Sequence, residues 1–443
     1  MKVIIIGGTA AGTSAAAKAK RMDKELNITI YEKTNTTSFG ACGLPYFIGG
    51  FFDDANEMIA RTPEEFERSG ISVRTEHEVI QLDIKSSTLK LKNLKTEEVF
   101  IDTYDKLVIA TGGRPIIPPI DNIQLNNFYT LRNMKDGKEI RELFSKKEIN
   151  DIVIIGAGYI GIEMVEAAKA RGKNVRVVQL DKRILSESFD KEITDLMEAE
   201  LIKNNVLLHT NEFVKSLVGK EKIEGIITNK GEYKADLVIL STGIRPSTEF
   251  LKGQLETLKN GAIVVNEYGE TSIGGVYSAG DCATVYNIVS KQHDYIPLAT
   301  TASKLGRIVG ENLAGQRVPF RGTLGSASIK VLSLEAARTG LTEESASRLG
   351  MKCKSVFIKD KNHTSYYPSQ EDLYIKLIYN KKTEEIIGAQ IIGKDGAALR
   401  MHALSLAIYS KLTTRELGML DFAYSPPFSK TWDALNIAGN AVK

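Results

Sequence analysis

The apolar residues of this chain come in short unbroken runs, several of them closed by glycine. Val3–Ile6 is the first, and it ends at Gly7. Such a run, with no polar alternation, predicts a strand buried on both faces of a parallel sheet. An alanine-rich stretch then predicts a helix from Gly12 to about Met22, followed by a second strand over Ile28–Glu32. The same order returns at Asp151–Gly161, with a helix to about Arg171 and a strand over Val175–Leu180. A pattern that recurs in this way is an internal repeat. Tyr104–Pro115 runs from a strand into a Thr-Gly turn and a proline, which marks a crossover between domains, and Leu237–Pro246 repeats that turn. Residues 51–112 also hold a helix from Pro63 to about Ser69 and alternating segments such as Thr88–Asn93. Thr271–Asp281 is a strand leading into Gly280-Asp281, and Leu298 to about Leu313 reads as a helix. From about Thr323 the texture changes to strands at Tyr374–Tyr379 and Ile386–Ile392 and an amphipathic helix over Ala397–Tyr409.

Composition narrows the class. With 58 basic and 55 acidic residues the net charge is +3, too balanced for a nucleic-acid partner. No apolar run is long enough to span a bilayer, and the opening strand pattern carries no leader, so a cytoplasmic protein is expected. Three cysteines, Cys42, Cys282 and Cys353, are no disulfide scaffold and fit a reducing compartment. His77, His209, His293, His363 and His402 form no metal-ligand cluster, and His363 reads as a surface histidine.

The glycines carry the chemistry. A G-x-G-x-x-G turn between strand and helix brings a pyrophosphate against backbone N–H groups at the helix start. Gly156, Gly158 and Gly161 complete that pattern. The first unit keeps Gly7 and Gly12 but has Thr9 at the middle glycine. Glu32, at the end of the second strand, stands where an acidic residue binds ribose hydroxyls. Asp181 stands as far beyond Gly161 as Glu32 does beyond Gly12. Cys42 follows in the loop Ser38–Tyr46, placed to set a thiol beside the ring of a bound dinucleotide.

Two dinucleotide units, a Gly-Asp segment and a cysteine after the first unit together resemble the pyridine nucleotide–disulfide oxidoreductases, over the whole chain. The resemblance implies an α/β fold with two Rossmann-like dinucleotide-binding domains and a C-terminal α+β dimerisation domain. FAD would occupy 1–112 with 243–320, NAD(P)H 113–242, and residues 321–443 would dimerise. By the same likeness Gly7, Gly12, Glu32, Thr111, Gly112 and Asp281 hold FAD, with Asp281 on the ribityl chain. Gly156, Gly158, Gly161 and Asp181 hold the nicotinamide dinucleotide. Counting from the glycines, Asp181 favours NADH. In the family register the strand ends at Gln179, with Lys182 and Arg183 near enough for a 2′-phosphate, and both readings stay open.

Dithiol members carry C-x4-C, whereas Phe47 stands at the second position here. Cys42 must therefore cycle against an external partner. Cys42-Gly-Leu-Pro-Tyr46 looks like the loop of the coenzyme A disulfide reductases, which keep the cysteine as a mixed disulfide with coenzyme A. NADH oxidases and peroxidases cycle through sulfenic acid instead and have a histidine where this chain has Ala10. Ile296–Ala302 and Trp432 look oxidase-like. The reading adopted is a homodimeric coenzyme A disulfide reductase, with the water-forming NADH oxidase as alternative and polysulfide reduction behind both. In that reading Tyr367 and Tyr424 come from the partner subunit toward Cys42, and Ser14, Lys18, Arg21 and Ser38 line the coenzyme A site. The thiol is expected to have its pKa lowered by the flavin site and nearby dipoles. A non-catalytic flavoprotein is the rival class, but it has no use for a thiol at position 42.

Overall fold

The computed structural model describes residues 1–442. The first sheet is parallel, in the order Val276–Ser278, Lys106–Ile109, Lys2–Ile6, Asn27–Tyr31, Ile71–Arg74. Ile4 pairs with Thr29 on one side and Leu107 on the other. Val3, Ile4 and Ile5 are fully buried, as an unbroken apolar run requires when both faces of its sheet are covered. Helix α1 (Ala10–Met22) starts two residues before the expected Gly12, because Thr9 takes the N-cap position. The short helices α2 (Leu44–Gly49) and α3 (Pro63–Arg68) follow. Thr62 and Glu65 close a capping box at the start of α3.

The second sheet is also parallel, in the order Val206–His209, Asn174–Val178, Asp151–Ile155, Leu237–Leu240, Phe128–Thr130. Its helices are α4 (Met134–Ser145), α5 (Tyr159–Ala170) and α6 (Lys191–Lys203). The strand predicted to reach Leu180 stops at Val178. The Gln179 side chain there turns back to accept the Ala157 N–H at 2.8 Å.

Helix α7 (Ala299–Leu313) returns to the first unit and lies along α1. The remaining sheet is antiparallel, in the order Ala327–Val331, Leu334–Gly340, Ile386–Gly393, Asp372–Asn380, Cys353–Lys361. It comes with α8 (Glu343–Arg348) and α9 (Ala397–Tyr409). Every residue of Ile386–Gly393 is buried, because the sheet is covered on both sides. Leu404 and Ala407 of α9 pack on one side. On the other, Ile329, Val331, Ala336 and Ile392 share a core with Met164 of α5 and Met197 of α6.

Charge reinforces that junction. Lys376, 2% exposed, reaches Glu343 at 2.8 Å, Glu192 at 2.9 Å and Asp190 at 3.5 Å. Burial alone would lower its pKa, but these carboxylates hold it above the ordinary lysine value. Among the described residues no helix is long and apolar enough to cross a membrane.

Helices α1 and α7 touch backbone to backbone. A Cβ on Gly306 would stand 2.4 Å from Ala11 O, and one on Gly310 2.4 Å from Ala15 O. The contact needs glycines on one helix and alanines on the other. Gly306→Ala should cost about 1–3 kcal/mol by overpacking. Gly274→Ala, where an added Cβ meets nothing within 4 Å, should stay within about 0.5 kcal/mol of wild type. Thermal unfolding compares the two, and an unshifted transition in Gly306→Ala would contradict the close packing.

Candidate active site

The first glycine turn is built by close approach. Gly7 has φ +105°, and a Cβ there would stand 2.2 Å from Ala110 O. One on Gly12 would stand 1.9 Å from Gly7 O. The start of α1 therefore lies against the strand ends. Glu32 is buried beside it, with Oε2 accepting the Gly8 N–H at 2.7 Å. Its Oε1 accepts the N–H and hydroxyl of Thr34, each at 2.8 Å. Across the turn, Gly280 at φ +86° puts an added Cβ 3.0 Å from Ala11 Cβ, so Asp281 arrives at the same crevice. No hydrogen bond or ion pair within the chain engages the Asp281 carboxyl among the described residues. Burial pushes its pKa up, and Arg132 partly offsets the rise. Arg132 Nη2 lies 2.9 Å from where a Gly112 Cβ would be. Thr111 directs its hydroxyl away, to Ser247 O at 2.8 Å. The crevice suits FAD: a turn with no room for side chains, a fixed carboxylate at the strand end, and a second carboxyl with free acceptor capacity. Sequence reasoning missed Arg132, whose only signal was spatial.

The cysteine loop is stitched to this turn. The Thr37 hydroxyl and the Ser38 N–H both donate to Gly8 O, each at 2.7 Å. Gly40 N–H donates to Met58 O at 2.8 Å. Cys42 then sits in a 3-10 turn, Ala41–Gly43, that runs straight into α2. Pro45 falls in the first turn of α2, where a missing N–H costs nothing. The sulfur is exposed. The chain's own groups raise its pKa: desolvation first, then the carboxylates of Glu163 and Asp281. Among the described residues no cation offsets them. Glu163, on α5, is itself pushed up to about 7 by burial and by Glu166. Cys282 is fully buried with its thiol on Ile109 O at 3.3 Å, as a packing residue. Cys353 is half-buried in an outer strand of the antiparallel sheet.

The second glycine turn repeats the first. Gly156 has φ +98°, its Cβ position is 2.5 Å from Ser241 O, and that of Gly161 is 2.1 Å from Gly156 O. Gly158 faces nothing within 4 Å, which leaves the open side of the turn for a dinucleotide. Gln179, bound to Ala157 N–H, donates to Asp181 Oδ2 at 3.1 Å, and Ser186 adds a second bond at 3.2 Å. Asp181 is thus tied to the glycine turn through Gln179. Arg183 is buried and faces Glu344 at 3.5 Å, so it is not a free cation, while Lys182 is exposed.

The remaining predicted residues are placed less simply. Ser14, Lys18 and Arg21 share one face of α1, but Lys18 is paired with Glu311 of α7 at 3.0 Å, both groups about 15% exposed. Arg21 is exposed and bonds Ala17 O at 3.2 Å. The hydroxyl partner of Tyr424 is Tyr366, at 2.9 Å, not Tyr367. Tyr367 stands edge-on to His363, ring centres 5.4 Å apart. His363 is 3% exposed, which corrects the surface reading: Tyr367 covers its ring and Nδ1 lies 3.0 Å from Thr364 O. Among the described residues no hydrogen bond or ring contact joins Tyr366, Tyr367 or Tyr424 to Cys42. Tyr366, Tyr424, Phe428 and Trp432 are all exposed, and Tyr366 and Tyr424 touch through their hydroxyls. Among the described residues no group of His, Cys, Asp and Glu could hold a metal ion.

The carboxylates around the sulfur give a test. Glu163→Gln removes a negative charge that opposes thiolate, so the Cys42 pKa should fall. The alkylation rate of Cys42 by iodoacetamide should rise earlier with pH than in wild type. The gap should be present above about pH 7, where Glu163 is charged, and fade below it. Identical profiles would mean that Glu163 does not act on the sulfur.

The comparisons with known proteins agree with this geometry. Residues 1–306 match the model of the pyridine nucleotide-disulphide oxidoreductases, and residues 326–435 match that family's dimerisation domain. The chain is 38% identical to an NADH oxidase of Enterococcus faecalis, covering 100% of this chain and 99% of that one. It is 37% identical to an NAD(P)H coenzyme A polysulfide/persulfide reductase of Pyrococcus horikoshii, covering 100% and 98%. Its structure superposes on that of the reduced Bacillus anthracis CoADR-RHD with a TM-score of 0.96 at 33% identity, covering 99% of this chain and 79% of that one. The chain is an NAD(P)H-dependent flavoprotein oxidoreductase that uses FAD: it belongs to the pyridine nucleotide-disulphide oxidoreductase family.

Proposed function

We propose that this protein reduces coenzyme A disulfide with NAD(P)H, through Cys42 cycling as a mixed disulfide with coenzyme A. One observation carries the reading. Cys42 is an exposed thiol pinned to the flavin turn, with no second thiol able to reach it. FAD, when bound, takes two electrons from NAD(P)H and makes them available to sulfur. Cys42 receives them as its mixed disulfide opens, which frees one coenzyme A thiol. The Cys42 thiolate then displaces coenzyme A thiolate from the next disulfide and restores the mixed disulfide. One NAD(P)H, one proton and one disulfide give one NAD(P)+ and two thiols. Glu163 is the chain's own group near the sulfur that can hold that proton at neutral pH.

In this reading residues 1–112 with 243–320 hold FAD, 113–242 hold NAD(P)H, and the chain is a homodimer. The exposed patch around Tyr366 and Tyr424 lies against the partner, whose tyrosine pair donates hydrogen bonds to the sulfur leaving Cys42. Ser38, bound through its backbone to Gly8, and Ser14 and Arg21 on α1 face the coenzyme A. Lys18 contributes less, because Glu311 already balances it. The relative that acts on coenzyme A persulfides supports a coenzyme A thiol as partner.

A second reading is a water-forming NADH oxidase. The Enterococcus faecalis relative favours it. Ala10 opposes it, since the first residue of α1 offers no proton donor beside the flavin turn. Intact mass of the unreduced, denatured protein decides. An adduct of the mass of coenzyme A is expected, removed by dithiothreitol and absent from Cys42→Ser. Sulfenic acid alone, with fast NADH use in air and none with coenzyme A disulfide, would establish the oxidase.

The tyrosine pair has its own test. Neither Tyr424→Phe nor Cys42→Ser homodimers should turn over at more than about a tenth of the wild-type rate, the loss of one hydrogen bond to a charged group in the first case. Mixed dimers should recover part of the activity, because one of their two sites is intact. No recovery, with exchange verified, would place each site within one chain.

A further inference from the structure

Helix α2 carries Cys42 at one end and is held at the other by the nucleotide unit. It is six residues long, so its last carbonyls have no donor within the helix. Arg141 Nη1 donates to Phe47 O at 2.9 Å and to Phe52 O at 2.7 Å, and Nη2 pairs with Asp53. The same guanidinium lies 4.3 Å over the Phe47 ring. Arg171 Nε donates to Ile48 O at 3.1 Å. Arg141 belongs to α4 and Arg171 caps the end of α5. Packing shows the same grip. A Cβ on Gly137 of α4 would stand 2.4 Å from Leu44 Cδ2, and one on Gly49 would stand 3.1 Å from Ala167 Cα of α5. Both arginines also favour the negative end of the helix. At about 1.5 Å per residue, the clamped carbonyls lie only about 10 Å along the axis from the turn that holds the sulfur.

We propose that Arg141 and Arg171 are positioning residues for Cys42, fixing the thiol against the flavin crevice by clamping the far end of its helix. The bonds of Thr37 and Ser38 to Gly8 hold the chain before the cysteine. The two guanidinium groups hold it after. Removing either anchor leaves the sulfur on a segment tied at one end. The proposal rests on Cys42 being the reacting sulfur, but not on the identity of the disulfide.

The test uses the FAD-loaded protein with Arg141→Ala and Arg171→Ala, each treated with dithiothreitol and desalted so that Cys42 is a free thiol. Lys138→Ala serves as control: Lys138 is on α4 and lines a surface hollow with Phe47, Arg141 and Arg171, but among the described residues it makes no hydrogen bond to α2. Three quantities are read: the long-wavelength charge-transfer absorbance between Cys42 thiolate and flavin, the alkylation rate of Cys42 by peptide mapping, and kcat and KM for NADH. Misplacement by about 1 Å is enough for a loss of up to roughly 100-fold in rate. Each arginine variant should lose at least half of the charge-transfer band, alkylate several-fold faster, and lose about tenfold or more in kcat with KM for NADH unchanged. Methylguanidine should restore part of the band in Arg141→Ala, and Lys138→Ala should match wild type. If Arg141→Ala does not fold, Arg141→Lys replaces it, since an ammonium keeps the charge but not the two-carbonyl bridge. A band, an alkylation rate and a kcat equal to wild type's, even with a lowered melting temperature, would overturn the proposal. Failure with coenzyme A disulfide alone, with the band and alkylation changed as expected, would overturn the proposed substrate and leave this inference standing.

Discussion

One residue, Gly8, organises the site. The N–H of Gly8 is held by Glu32, and its carbonyl by Thr37 and Ser38, all at 2.7 Å. The first fixes the carboxylate at the strand end. The second and third fix the loop that leads to Cys42. Three chemically different parts of the site are thereby referred to one backbone unit. A side chain at position 8 has no room either, since its Cβ would stand 3.0 Å from Thr37 Oγ1 and 3.1 Å from Glu32 Cβ. Buried bonds of this kind are costly to leave unmade. The turn, the carboxylate and the thiol loop therefore stand or fall together.

Around that unit the packing is layered by residue size. Small residues let α7 lie directly on α1, and glycines at 49 and 137 let α2 press into the second unit. Large aliphatic residues fill the sheets. Where the antiparallel sheet meets α5 and α6, apolar contact is supplemented by the buried ammonium of Lys376. The cysteine helix is thus bounded by two units, so its placement is a property of their assembly.

Much of this was legible in the sequence. Both glycine units, Asp281 and Cys42 could be read because each depends on a strand, a turn and the residue just after it. What escaped depends on contacts between distant segments. Lys18 looked like a free cation on a helix face until α7 brought Glu311 to it. The turn that aims Tyr366 at Tyr424 and Tyr367 at His363 left no signal in the sequence. The direction of the Cys42 shift depended first on the burial of the thiol and then on Glu163, a residue of the other unit. Gln179 showed no motif, yet it links Asp181 to the glycine turn. Helix and strand ends moved by about two residues where a cap or a side-chain bond decided them, as for Thr9 and Gln179.

The cluster at Lys376 has a thermal consequence. Much of the cost of burying charges is the loss of their hydration, and that hydration weakens as temperature rises. Apolar burial gains no comparable advantage on heating. Glu192 and Glu343 are also about 40% exposed, so they keep part of their water while bonded to the buried ammonium. The junction between the nucleotide unit and the antiparallel sheet therefore grows stronger relative to the cores on either side of it as the protein warms.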